Sequence, residues 1–267
     1  MSKSIRQLLG KTDSGKEPAI PKGRRVYAVG DIHGRLDLFD AMIAAIERDE
    51  AQAPAEQSTV ILLGDLVDRG PDSAGVIKRA RKWKKKRELR ILGGNHEEMF
   101  LESFRRKDVL QHFLRFGGKE TLLSYGIQPR ARTKSELAAL QQLMAAQVPA
   151  KDVEFIRGFE DMAVIGDYLF VHAGIAPGKS LKKQSTGDLR WIREPFLSHD
   201  KPHSHFVVHG HTIYQRPQIR SNRIGIDTGA FNTGRLTALV LEGTARRIIE
   251  TKVKKGVVRT LERKVEA

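Results

Sequence analysis

The sequence predicts an α/β fold, and three observations carry the prediction. Apolar runs of strand length alternate with amphipathic helical stretches over the first hundred residues. The apolar runs are nearly continuous, as expected of buried strands. Five short segments that combine glycine with carboxylate, imidazole or amide groups each follow such a run. They read GDIHG (30–34), GDLVDRG (64–70), GNHE (94–97), VHAG (171–174) and HGHT (209–212), and their position puts the polar groups at strand ends, where open sheets place their sites.

Residues 1–24 are polar and punctuated by glycine and proline, which predicts a flexible arm ahead of a single domain over 25–267. RVYAVG (25–30) is the first strand and runs into the first polar segment. A helix over about 36–50 follows, with Leu36, Phe39, Met42, Ile43 and Ile46 on one face. TVILLG (59–64) is the next strand, a basic helix occupies 78–90, and LRILGG (89–94) is the third strand, giving the order β-α-β-α-β with each polar segment in the loop after a strand. A helical insert is expected over about 100–160; within it KSELAALQQLMAAQV (134–148) stops at Pro149, and AKDVEFIRGF ends near Gly158. MAVIGDYLFVHAG is a hairpin around Gly166 and Asp167, HFVVHGHT delivers the fifth segment, and RIGIDTGAFNTGRLTALVLEG reads as consecutive strands. A final strand is expected in the basic tail after Gly243.

The chain of 267 residues, 40% hydrophobic, is long enough for a large core. It has no cysteine, so disulfides and thiolate ligands are excluded and any metal site must use oxygen and nitrogen donors. The N-terminus lacks the apolar core of a signal peptide and no run is long enough to span a bilayer, which predicts a cytoplasmic protein. A net charge of +15 favours anionic partners without choosing among them. In the basic stretch 78–90 the apolar residues Val76, Ile77, Ala80 and Trp83 recur at helical spacing, so it reads as an amphipathic helix with a solvated face, and a single core-facing Trp leaves no stacking platform for nucleic acid.

Asp31 and His33, two apart at a strand end, can turn an oxygen and a nitrogen toward one ion. Asp65 is the natural bridge to a second ion about 4 Å away, because a carboxylate has two oxygens. Asn95, His172 and His211 would complete the second site. This O/N set suits manganese first, with iron or zinc as other options. Two such ions would lower the pKa of a shared water for in-line attack on phosphorus. His96 is placed to protonate the leaving oxygen, with Asp68 holding its other N–H, and Arg69 offers a fork for phosphate oxygens. His209 is expected to hydrogen-bond behind the site, and His112, His199, His203 and His205 to be surface residues or supports.

GDIHG, GDLVDRG, GNHE, VHAG and GHT, in this order over about 25–241, resemble the calcineurin-like metallophosphoesterases, and among them the bacterial phosphoprotein phosphatases. The resemblance implies a four-layer α/β/β/α sandwich with two divalent ions. One would be held by Asp31, His33 and Asp65, and the other by Asp65, Asn95, His172 and His211. His96 and Asp68 would be the acid pair, and Arg69 would bind phosphate together with Asn95. WIRE (191–194) is similar to a later arginine-bearing segment, which makes Arg193 a further phosphate ligand. Gly93 and Ala173 stand where many protein phosphatases of the family carry arginine and glycine, a departure shared with the symmetrical diadenosine tetraphosphate hydrolases. Asp68 and Glu97 instead favour the serine/threonine protein phosphatases. The expected partner is therefore a phosphorylated protein, with a small phosphorylated molecule as the other option. A basic module that binds RNA without catalysis is the reading from a different class.

Overall fold

A computed structural model describes residues 17–131 and 133–264. Strands β1 (Arg24–Val29), β2 (Gln57–Leu62) and β3 (Leu89–Ile91) run parallel, joined by helices α1 (Leu36–Gln52) and α2 (Ser73–Lys84). These are the expected β-α-β-α-β units. The basic helix is shorter than expected: it ends at Lys84, and residues 85–88 lead into β3. Val76, Ile77, Ala80 and Trp83 are buried, and Trp83 packs edge-on against Phe39.

Helices α3 (Asn95–Ser103), α4 (Lys107–Arg115), α5 (Gly118–Ser124), α6 (Lys134–Gln147) and α7 (Ala150–Arg157) form the insert. It starts earlier than the expected residue 100. The chain leaves β3 through Gly94 directly into a helix, so Asn95 and His96 are first-turn residues of α3 and not loop residues. Thr133 caps α6 by accepting the Glu136 N–H, and Val148 turns extended ahead of Pro149, which ends the helix.

A second sheet holds β4 (Met162–Ile165), β5 (Tyr168–Val171), β6 (Phe206–His209), β7 (Gln218–Ile219) and β8 (Arg223–Gly225), ordered β4-β5-β6-β8-β7. Helix α8 (Thr186–Trp191) lies between β5 and β6 in sequence. Consecutive strands were expected after residue 223, yet a helical turn, α9 (Ala230–Thr233), separates β8 from β9 (Arg235–Glu242), bracketed by Gly229 and Gly234 in left-handed conformation. The tail forms two strands, β10 (Ala245–Lys254) and β11 (Val257–Lys264), which extend the first sheet to β11-β10-β9-β1-β2-β3.

The period-two alternation of the strands builds the layers. Val26, Ala28, Ile61 and Leu63 meet Tyr168, Phe170, Val208 and Ile224 between the two sheets. Tyr27, Val29, Val60 and Leu62 face the α1 and α2 side, while Leu169, Val171 and Val207 pack outward on Leu189 of α8 and on Phe196. This is the expected four-layer α/β/β/α sandwich of two mixed sheets. Residues 1–16 of the expected arm lie outside the described residues; of the remainder, Ile20 is buried and donates its N–H to the Gly243 carbonyl. Among the described residues, no helix is long and apolar enough to cross a membrane.

Candidate active site

The ends of β1, β2, β3, β5, β6 and β8 deliver Asp31 and His33, Asp65 with Asp68 and Arg69, Asn95 and His96, His172, His211, and Asp227 to one region. His33, Asp65, Asp68, Arg69 and His211 all adopt positive φ, at 46°, 50°, 72°, 67° and 61°. Lys255 is the one other non-glycine residue with positive φ among those described. A non-glycine residue in this region costs on the order of 1 kcal/mol, so the strain is concentrated where the polar groups converge.

Hydrogen bonds hold these turns. The Asp65 carbonyl accepts the N–H groups of Ile32 and His33 at 3.1 and 2.8 Å, tying the β1 loop to the β2 loop. The buried Glu97 carboxylate accepts the N–H groups of Asp65, Leu66 and Gly94 at 2.8, 2.7 and 2.9 Å. Gly94 has no room for a side chain, since a Cβ there would lie 2.1 Å from Asp65 Oδ1.

The imidazoles present lone pairs inward. His33 Nδ1 donates to the Val67 carbonyl at 2.8 Å, and His172 Nδ1 to the Leu63 carbonyl at 2.9 Å, so each Nε2 is an acceptor. His172 Nε2 lies 3.0 Å from Asn95 Oδ1, which is itself an acceptor, and His211 Nδ1 lies 2.9 Å from the same oxygen. Asp65 turns Oδ2 to His33 Nε2 at 3.6 Å and Oδ1 to His172 Nε2 at 3.4 Å. Two donor clusters result, His33–Asp65–His96 and Asp65–His172–His211, sharing Asp65. Asp31 stands beside them, its carboxylate accepting the His211 N–H at 3.0 Å.

Burial pushes His33 and His211 down to about 3 and lowers His172, which keeps these rings neutral and able to ligate. Burial, reinforced by Asp227 and Asp65, pushes Asp31 well above the usual carboxylate range; burial also raises Asp227 to about 6. Among the described residues neither Asp31 nor Asp227 forms an ion pair with a lysine or arginine, although the Arg69 charge lowers both, and an O/N set of this kind fits divalent cations. His96 behaves differently: burial works to lower it, but Asp65 and Asp68 outweigh burial and raise it. Its Nδ1 donates to Asp68 Oδ2 at 2.6 Å.

Arg69 reaches His33 Nε2 with Nη1 at 3.1 Å and His96 Nε2 with Nη2 at 2.9 Å, and its guanidinium lies 4.8 Å from the Phe231 ring centroid. A lone pair serves one partner at a time, so a cation on His33 Nε2 would release Nη1. Arg193 and Arg69 line a cleft of about 470 Å³ that includes Asp65, Asn95, His96 and His211. Its rim carries Phe116, Trp191 and Ile213, exposed to 45%, 37% and 43%, with His112 packed on Phe116.

The sequence profile of the calcineurin-like phosphoesterases matches residues 24–228. The chain belongs to this family. It is 30% identical over 222 residues to serine/threonine-protein phosphatase 1 of Salmonella typhimurium, covering 80% of this chain and 90% of that protein. It is 28% identical over 235 residues to the asymmetrical bis(5'-nucleosyl)-tetraphosphatase PrpE of Bacillus velezensis, covering 78% of this chain and 86% of that protein. Among solved structures, a mutant of a cold-active protein tyrosine phosphatase shares the fold, with a TM-score of 0.56 at 18% identity, covering 98% of this chain and 85% of that one. Calcineurin-like phosphoesterases act at a dinuclear metal centre; the chain is a phosphoester hydrolase, and it carries two His/Asp clusters that share Asp65.

In this calcineurin-like phosphoesterase, several contributors escaped sequence reasoning. Asp227 follows β8 within a DTG run, the same strand-end pattern as the recognised segments, and that signal was available. Phe116, Phe231 and Thr121 carry no local signal. Gly93 is not bare: the Arg190 guanidinium lies 3.2 Å from where its Cβ would be, paired with Glu98 and Asp161. His209 donates to the Gly210 carbonyl and packs against Phe196 behind the site, as expected.

Proposed function

We propose that this metallophosphoesterase is a cytoplasmic serine/threonine protein phosphatase. The observation that carries the reading is the 2.6 Å bond between His96 Nδ1 and Asp68 Oδ2. An alkoxide is a strong base and leaves only with a proton, whereas a nucleoside polyphosphate is a weak base and leaves with little help. A buried histidine raised by two carboxylates suits the first task.

Asp31, His33 and Asp65 would hold one divalent ion, and Asp65, Asn95, His172 and His211 the other, with manganese as the first choice for an O/N donor set. The ion pair, when bound, supplies Lewis acidity and an acidified water as nucleophile. The chain's own residues do the rest. Arg69, Arg193 and Asn95 orient the phosphate oxygens in line with the leaving group. With Arg69 Nη2 turned from His96 Nε2 to the phosphate and that nitrogen protonated, His96 would give the Nε2 proton to the leaving oxygen, while Asp68 fixes the ring and compensates its charge.

A second reading, dinucleoside tetraphosphate hydrolysis, draws support from the apolar rim of Trp191, Phe116 and Ile213, which suits the flat face of a base. A rate panel with phosphoserine, phosphothreonine and phosphotyrosine peptides, diadenosine tetraphosphate and a cyclic nucleotide separates the two. A phosphoserine or phosphothreonine peptide as the best substrate by kcat/KM is the expected result, and diadenosine tetraphosphate in that place overturns the proposal. RNA binding without metal and without turnover would instead favour the non-catalytic module.

A further inference from the structure

We infer that the corner between α4 and α5 of the helical insert is a positioning element for the acid pair and the phosphate clamp, acting through the Thr121 hydroxyl and the Gly117 carbonyl. The inference rests on the acid role proposed for His96. Asp68 and Arg69 are adjacent non-glycine residues, both with left-handed backbone, at φ 72° and 67°. Locally the Gly70 N–H bonds the Asp68 carbonyl at 2.7 Å and Ser73 Oγ accepts the Asp68 N–H, and two strained residues in a row draw the rest of their support from outside the segment.

The corner imposes it at three points. The Arg69 N–H donates to the Gly117 carbonyl at 2.9 Å. The Asp68 N–H reaches Thr121 Oγ1 at 2.8 Å and Ser73 Oγ at 3.0 Å. The Thr121 hydroxyl donates to Asp68 Oδ1 at 2.6 Å, which leaves Oδ2 for His96.

Proton bookkeeping gives the network a direction. The Thr121 proton is committed to the Asp68 carboxylate, so in the 2.9 Å contact between the two hydroxyls Ser73 is the donor. The chain Ser73 to Thr121 to Asp68 to His96 is buried along its length, where each bond is stronger than in water and a missing one leaves an unpaired group. Gly117 itself has φ 109°, and a Cβ there would lie 2.5 Å from Arg69 Cγ, so the corner fits against the arginine stem with no space between. Ser124 of α5 accepts the Ala74 N–H at 3.0 Å and anchors the corner to the start of α2.

Thr121 touches no reacting atom; it sets which carboxylate oxygen faces His96, and hence the orientation of the ring that delivers the proton. The test compares Thr121→Val, which keeps the shape and removes the hydroxyl, with Thr121→Ser, which keeps it. Both are loaded with Mn2+, checked for metal content and melting temperature, and assayed on a phosphoserine peptide and on p-nitrophenyl phosphate, with His96→Asn as the benchmark.

Thr121→Val should lower kcat on the peptide by about 10- to 100-fold and on the aryl ester by less than about threefold, while Thr121→Ser restores the peptide rate to within about threefold of the parent. Parental peptide turnover in Thr121→Val, or equal losses on both substrates with full metal content, overturns the inference. If Thr121→Val does not fold, Ser73→Ala serves in its place: selective loss on the peptide supports the network and equal loss overturns it. If His96→Asn itself fails to separate the two substrates, the acid role falls and the inference with it. A discriminating His96→Asn beside a non-discriminating Thr121→Val overturns the inference alone.

Discussion

Glu97 Oε2 accepts the backbone N–H of Asp65 at 2.8 Å, so the residue after His96 fixes the turn that carries the bridging carboxylate. The same side chain accepts the Leu66 and Gly94 N–H groups, joining the β2 loop to the first turn of α3. Glu97→Gln would point an amide N–H2 at backbone N–H groups. We expect a stability loss of about 2–3 kcal/mol. Metal affinity should fall by about 10- to 100-fold. Thermal melting and calorimetric titration with Mn2+ check both, and unchanged values in the two would rule the anchor out.

Asp65 is the one side chain common to both donor clusters. Asp65→Asn should retain fewer than about two ions per chain and lose activity by about 10³-fold or more. Elemental analysis of metal-replete protein provides the count. Two tightly held ions in the variant would contradict the bridging role.

His96→Asn removes the proton donor and leaves the donors of the Asp65–His172–His211 cluster in place. Turnover of a phosphoserine peptide should fall by about 10²- to 10⁴-fold, and that of an aryl ester by much less, because the aryl leaving group needs little protonation. The ratio of the two rates is the readout. An unchanged peptide rate would show that another group delivers the proton.

Trp191 donates its indole N–H to Glu98 Oε1 at 3.2 Å and stands at the cleft rim with Phe116. For a protein phosphatase, Trp191→Ala should change kcat/KM for short phosphoserine peptides by less than about threefold, whereas the loss of a stacked base costs about 1–3 kcal/mol. Measuring KM for diadenosine tetraphosphate in parent and variant therefore tests the second reading independently of overall rate.

His203 is held down to about 4, by burial first and then by His199 and Arg223. The unfolded chain takes up this proton near pH 6.5, while the folded chain does so only near 4. Between these values the unfolded state binds more protons, so this residue lowers stability as pH falls from about 6.5 to 4. His203→Gln should flatten that part of the acid melting curve. An NMR titration midpoint near 6.5 in the folded protein would refute the assignment.

The legible part of the molecule was local. GDIHG, GDLVDRG, GNHE, VHAG and HGHT each follow a strand, and all six proposed ligands are found where those strands end. The amphipathic faces of α1 and α2 were readable from periodicity, and the end of α6 from Pro149. Other boundaries were not: Asn95 and His96 open a helix because only residues 92–94 link β3 to α3, with Gly94 as the N-cap. The turn at α9 falls in GAFNTG, a short break between two apolar strands that the periodicity reading ran together.

By itself the sequence determined the fold class and the identity and order of the metal and acid candidates, because strand periodicity and ligand-glycine spacing are written within a few consecutive residues. Only the tertiary structure decided that Glu97 anchors the Asp65 turn, that Arg190 covers Gly93, and that Thr121 and Gly117 hold Asp68 and Arg69. Those contacts join residues 32 to 97 positions apart by hydrogen bonds and close packing. A lone Thr, Arg or Gly carries no periodicity that announces its distant partner, so the physics that fixes these positions appears only once the chain has packed.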